Sequence, residues 1–157
     1  MKNVTPFITF DGRAEEAINF YCSLVDNSKI HSVQKWGPGG PVSEGSVITA
    51  SFELNGQRFL AMDVDGGFPL GEGFSIMVDC ETQEEVDRLY DGLSADGGEK
   101  QPCGWVKDRF GVSWQIVPIR LGELMGDPDR EAAQRVTEAM LQMQKIIIAD
   151  LEAAYAS

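Results

Sequence analysis

Hydrophobic and polar positions along the chain switch from alternation to helical spacing and back, and they do so twice. "ITFDGRAEEAINFY" (8–21) and "IMVDCETQEEVDRLY" (76–90) share an Ile, a strand-ending Asp, a Glu-Glu pair and a closing Tyr, the second copy carrying one extra residue. Each predicts a short strand followed by an amphipathic helix. Ala14, Ala17, Ile18, Tyr21 and Val25 fall on one face of the first helix, and Val86, Leu89, Tyr90 and Leu93 on one face of the second. Thr82, with Glu85 three residues on, forms a capping box that fixes the second helix start.

The ends of the two copies match as well. "NGQRFLAMD" (55–63) and "FGVSWQIVP" (110–118) both place a Gly three residues before an aromatic that opens an apolar strand. Gly56 and Gly111 stand where a tight hairpin requires positive φ. "SKIHSVQKW" and "SVITASFEL" read as strands between helix and hairpin in copy one, and "GEKQPCGWVK" fills that place more briefly in copy two. The pattern is β-α-β-β-β twice, over 4–65 and 73–119, an α+β fold. A single copy covers one sheet face with its helix and leaves the other bare until a second sheet closes over it. The expectation is a cleft-bearing mixed sheet or half-barrel.

"GPGGPVSEG" (37–45) reads as a loop; Pro41 and the β-type run after it argue against a phosphate-cradling turn. "GGFPLGEG" (66–73) reads as the linker between copies. From 120 to 157 a helical extension is expected. Asp127-Pro128 supplies a cap and first turn, and 128–144 continues as a helix with Ala132, Val136, Met140 and Met143 on one face. "KIIIADLEAAY" predicts a short apolar strand and a last helical turn or two. The apolar face of the extension must pack on the sheets or on another subunit, which points to a homodimer.

Composition narrows the function. A chain of 157 residues, 43% hydrophobic and 24% charged, is an ordinary globule that buries roughly 70% of its unfolded surface. Its formal net charge of −12 carries no basic footprint for nucleic acid. No apolar run approaches a membrane span, and Met1-Lys2-Asn3 leads into a strand-like segment without a signal-peptide core. Cys22, Cys80 and Cys103 are an odd set without metal-type spacing, expected as free thiols in a reducing cytoplasm.

The doubled pattern, the "GRAEEAINFY" helix and above all "CGWVKDRFGVSWQIVP" resemble the PhnB-like branch of the vicinal-oxygen-chelate superfamily, a branch also labelled 3-demethylubiquinone-9 3-methyltransferase. Glyoxalase I, extradiol dioxygenases and bleomycin-resistance proteins are its better-known members. The resemblance runs over nearly the whole chain, the "ADLEAAY" tail included. In metal-using members it implies His or Glu ligands at one inward position of the first and last strand of each module. Carried over, those positions fall on Pro6, Ala61, Gly73 (with Ser75 as the alternative) and Gln115. None is a strong donor, so no metal and no cofactor is expected.

The same register makes Ile8, Phe10, Phe59, Asp63, Ser75, Met77, Ser113 and Gln115 the inward set, an apolar cup with a few polar groups. Trp36 and Trp105 stand as walls on which a planar ligand stacks, or as packing. His31, the sole histidine, lies away from these positions and reads as structural. Lys107, Asp108 and Arg109 read as solvated ion-pair residues at a turn. The first functional reading is a metal-free protein that binds an apolar or aromatic metabolite. The second is a lyase- or isomerase-type enzyme with Asp63 as general base and Gln115 or Ser113 as polariser. The third is the methyltransferase of the label, against which stands the lack of a Gly-rich strand–helix turn. The fourth is a dimeric scaffold with a filled cleft.

Overall fold

A computed structural model describes residues 4–157; Met1-Lys2-Asn3 lie outside the described residues. The chain divides into two compact units, Met1–Pro69 and Leu70–Ser157.

In the first unit the order is β1 (Phe7–Phe10), α1 (Ala14–Leu24), β2 (Lys29–Lys35), β3 (Val47–Leu54) and β4 (Gln57–Asp63). The strands form one mixed sheet in the order β1-β4-β3-β2, with β1 parallel to β4 and the other pairs antiparallel. The helix packs on β3, β2 and β4. All five apolar positions read from the sequence, Ala14, Ala17, Ile18, Tyr21 and Val25, are buried. Phe10 meets Tyr21 at 6.5 Å between ring centroids, and Phe52 stacks on its cross-strand partner Phe59 at 5.4 Å. The β3–β4 hairpin turns on Asn55 and Gly56, both at positive φ, the conformation that two-residue turns of this hand demand.

The second unit repeats the plan with β5 (Ser75–Cys80), α2 (Gln83–Leu93), β6 (Glu99–Lys100), β7 (Trp105–Lys107) and β8 (Ser113–Pro118), in the sheet order β5-β8-β7-β6. The Thr82–Glu85 capping box forms, and Val86, Leu89, Tyr90 and Leu93 are buried. Residues 37–45 and 66–73 carry no strand or helix, as their composition predicts.

The extension differs from its reading. Its helices are α3 (Ile119–Met125), α4 (Arg130–Met140) and α5 (Ile148–Ala156). The first was not anticipated. The cap of α4 is Asp129, whose carboxylate accepts from Glu131 N and Ala132 N, rather than Asp127 two residues earlier. The apolar "KIII" stretch makes no strand. Ile146 instead joins a cluster with Leu121, Leu124, Val136 and Leu151, on which Met140 and Met143 also pack. Burial in a helical corner satisfies these side chains as well as a strand would, and periodicity cannot separate the two in so short a run.

The extension is fastened to its own unit. Cys103 N donates to Met143 O and Gly104 N to Gln144 O, at 2.8 and 2.7 Å. Gln83 donates to Ile146 O and accepts from Ile148 N. Lys145 Nζ lies 3.0 Å from Asp87 and 2.6 Å from Asp91 on α2. Gly104 sits at φ +82, and a Cβ there would stand 2.7 Å from Ile116 O and 2.9 Å from Ile146 Cδ1. Only glycine permits that approach.

Candidate functional site

Each sheet has one face under its helix and one helix-free face, and strand alternation assigns every side chain to one of them. In the second unit the expected facing is found. Ser75, Met77, Ser113 and Gln115 share one face through the pairs Ser75↔Ser113 and Met77↔Gln115, with Trp105 directly across from Gln115. Val106, Trp114 and Ile116 take the alternate positions and are fully buried.

In the first unit the facing is reversed. Ile8, Phe10, Phe59, Ala61 and Asp63 are all buried, on the face beneath α1. Phe10 and Phe59 therefore line the core, not a ligand surface. Asp63 Oδ1 accepts from Ala14 N at 2.8 Å, and its Oδ2 accepts from Val47 N at 2.8 Å. It caps the start of α1 from a distant strand, where the adjacent residue Arg13 gives no side-chain cap. Asp63 is 2% exposed, on the α1 side of the sheet, with each oxygen held by a buried backbone amide. The general-base assignment for this residue is corrected on that ground. The helix-free face carries Phe7, Thr9, Ser51, Arg58, Leu60 and Met62 instead.

Strand pairing also relocates the metal positions implied by the resemblance. Leu60 and Gln115 each lie four residues beyond the hairpin glycines, Gly56 and Gly111, so the pair Phe7↔Leu60 in one sheet corresponds to Met77↔Gln115 in the other. Pro6 and Gly73 precede their strands, and Ala61 faces α1. Phe7 and Leu60 offer no donor, Met77 only a thioether, and the Gln115 amide is a weak single ligand. Neither pair supplies any of the three or four imidazoles or carboxylates that a divalent metal takes.

Gln115 Nε2 donates to Ser75 Oγ at 2.8 Å, which orients the amide across the sheet. Ser113 is 2% exposed, and its Oγ is buried without a hydrogen-bond partner. A hydroxyl left so is costly, about 1–3 kcal/mol by general experience, and marks a place where a polar ligand atom would be accommodated. Trp36, the other expected wall, packs on its own loop: Trp36 N donates to Ser46 O, Trp36 O accepts from Gly45 N, and a Cβ on Gly40 would press the indole at 2.8 Å.

Asp108 also departs from its reading as a solvated ion pair. It is 3% exposed, accepts from Phe110 N and Val112 N through Oδ1, and from the Trp114 indole through Oδ2 at 2.8 Å. Arg109 turns to Asp96. The "KDRFGVSW" string is thus the frame of the β7–β8 turn, with Gly111 at φ +88 closing it.

A second cluster was missed from sequence. On the helix-free face of the first sheet a cup of about 390 Å³ is lined by His31, Ser32, Ser51, Glu53 and Arg58. A register shift between Ile30 and Ser32 leaves His31 as an extra residue in β2, and this bulge aims its ring beside Glu53. His31 Nε2 lies 2.9 Å from Glu53 Oε1, and Lys29 Nζ 3.5 Å from Oε2. The hydrogen bond from His31 holds the Glu53 carboxyl below its ordinary range, and Lys29 acts in the same direction against burial. Arg58 Nε donates to Ser51 Oγ at 3.3 Å. Nothing in the hydrophobic pattern marks a bulge, so the histidine read as remote.

The three cysteines are free. Burial pushes the Cys80 thiol up to about 12, helped by Glu85 and Asp79, and raises Cys22 as well. Neither is a poised nucleophile.

The sequence profile of the family described as 3-demethylubiquinone-9 3-methyltransferase matches residues 2–117. A solved structure described as a putative 3-demethylubiquinone-9 3-methyltransferase, PhnB protein, from Bacillus cereus is 40% identical, with 74% of this chain and 99% of that chain covered and a TM-score of 0.67. Protein YjdN of Escherichia coli K12 is 22% identical over 140 residues, 74% of this chain and 95% of its own. The fosfomycin resistance protein FosX of Listeria monocytogenes, solved with Mn(II), is 14% identical at a TM-score of 0.54, over 74% of this chain and 92% of its own, a likeness of fold alone. The family match ends at 117, so α3, α4, α5 and the "ADLEAAY" tail lie beyond it, contrary to the expected reach of the resemblance.

Proposed function

Because the chain belongs to the 3-demethylubiquinone-9 3-methyltransferase family, in the PhnB-like branch of the vicinal-oxygen-chelate superfamily, we propose that it is a small-molecule-binding protein of the glyoxalase/bleomycin-resistance type that works without a metal. The observation that carries the reading is that neither helix-free pair, Phe7 with Leu60 or Met77 with Gln115, offers an imidazole or a carboxylate. The ligand is a metabolite with an apolar or aromatic part, oriented by Gln115, Ser75 and Ser113 and flanked by Met77 and Trp105.

The family's descriptive activity does not follow from its fold. S-adenosylmethionine is usually held at a Gly-rich strand–helix turn. The two such turns here are Asp11-Gly12-Arg13 and Glu81-Thr82, with one glycine between them. Among the described residues no helix is long and apolar enough to cross a membrane. A reducing cytoplasm suits three free thiols, and a homodimer suits the half-exposed Phe7 and Met77.

The test is elemental analysis and native mass spectrometry of purified, untagged protein. The expected result is a dimer free of stoichiometric metal, carrying or taking up an organic molecule. One tightly held divalent metal per chain would overturn the proposal.

A further inference from the structure

The cup on β2, β3 and β4 holds a guanidinium and an imidazole against one carboxylate. On a molecule of formal net charge −12, the lining sets the Arg58 guanidinium against the single carboxylate of Glu53, which Lys29 meets from beside the cup. Glu53 is already engaged: one oxygen meets His31 and the other Lys29. Arg58 stands opposite Glu53 in the strand register, yet its hydrogen bond goes to Ser51, and it makes no ion pair among the described residues. A guanidinium fork with its Nη groups unused, beside two serine hydroxyls and an imidazole, matches the geometry of a planar or tetrahedral oxyanion.

We infer that this cup is an oxyanion subsite, taking the carboxylate or phosphate group of a small metabolite. Arg58 is its principal cation, Ser51 and Ser32 supply hydroxyl donors, and His31 supplies a further donor when protonated. Glu53 does not touch the ligand; it is a positioning residue. By accepting from His31 Nε2 it fixes the ring so that Nδ1 is the nitrogen left for the ligand. The charged groups around the ring are Lys29 on its own strand, Glu53 on β3 and Arg58 on β4. The inference rests on the small-molecule reading and gives its ligand an anionic end.

The test is a two-dimensional NMR titration of the whole chain with sodium phosphate and, separately, sodium acetate, each against sodium chloride at matched ionic strength. Saturable shifts confined to amides of β2, β3 and β4 are expected. Arg58→Gln should weaken binding at least tenfold, whereas Arg130→Gln, an exposed arginine on α4, should leave it unchanged. Glu53→Gln should change the tautomer signature of the His31 ring nitrogens, whose Nε2 it no longer fixes, while Arg58-dependent binding persists. Saturation by acetate alone assigns a carboxylate, and by phosphate alone a phosphate. Equal shifts with chloride, or undiminished binding in folded Arg58→Gln, would sink the inference. Because the titration reads this cup and native mass spectrometry reads any bound molecule, the subsite can fail while the binding function stands.

Discussion

Three buried or half-buried polar groups show how one residue type takes different work from its surroundings. Asp63 and Asp108 are both almost wholly buried, yet each has its oxygens turned to amide or indole N–H donors, which is the ordinary way a folded chain keeps a carboxylate inside. Glu53 lies at the surface with its oxygens on the His31 imidazole and the Lys29 ammonium, an arrangement that ligands can enter. The distinction yields a prediction. Asp63→Ala strips the acceptor from Ala14 N and Val47 N, and leaving two buried donors unpaired costs about 2–4 kcal/mol. Urea unfolding should register that loss, and Asp63→Asn, which keeps one acceptor oxygen, should fall between wild type and Ala. A stable Asp63→Ala protein with impaired ligand binding would instead restore the residue to the site.

At the scale of elements, legibility followed contrast between the two faces. Strand β8 alternates Ser113, Trp114, Gln115 and Ile116, so polar and apolar sides separate and the facing was readable. Strand β4 runs Phe59, Leu60, Ala61 and Met62, apolar on both faces, and a slip of one residue inverted the whole first sheet. Helices α1 and α2 were legible because a 3.6-residue stripe cannot be shifted without exposing it. The His31 bulge and the α3 turn left no periodic trace. The join of the extension to α2 was not legible either, since it depends on tertiary pairing.

That join is pH-sensitive. The Gln83 hydrogen bond, then that of Lys145, holds Asp87 below the usual carboxylate range; Lys145, then Lys100, does the same for Asp91. Burial pulls Lys145 down, but its two carboxylate partners outweigh this and leave it raised. A carboxyl depressed in the folded state stabilises above its unfolded pKa, about 4, and that contribution is lost as pH falls through the folded value. These pairs are largely exposed, so each contributes only about 0.2–1 kcal/mol. Hydrogen exchange of residues 141–148 should therefore quicken between pH 5 and 3, beyond the intrinsic pH effect, before that of β5 and β8 does. In Lys145→Met this difference should shrink; an unchanged difference would remove the ion pairs as its cause.

For the whole molecule, the proposed homodimer sets apolar attraction against charge repulsion. Phe7 is 50% exposed, Met77 55%, Phe74 57% and Phe68 68%, more large apolar surface than scattered exposure ordinarily leaves. Two copies each of formal charge −12 repel, and added salt screens that repulsion over about 10 Å at 0.1 M while leaving apolar burial intact. Self-association should accordingly strengthen between low and moderate ionic strength, the opposite of an interface built from salt bridges. Light scattering should give twice 17.2 kDa at moderate salt, with dissociation favoured at low salt and low concentration. Phe7→Lys with Met77→Lys should return the monomer mass. The substituted positions face away from the helices, so circular dichroism should stay that of the parent. A monomer at every salt concentration would withdraw the second copy.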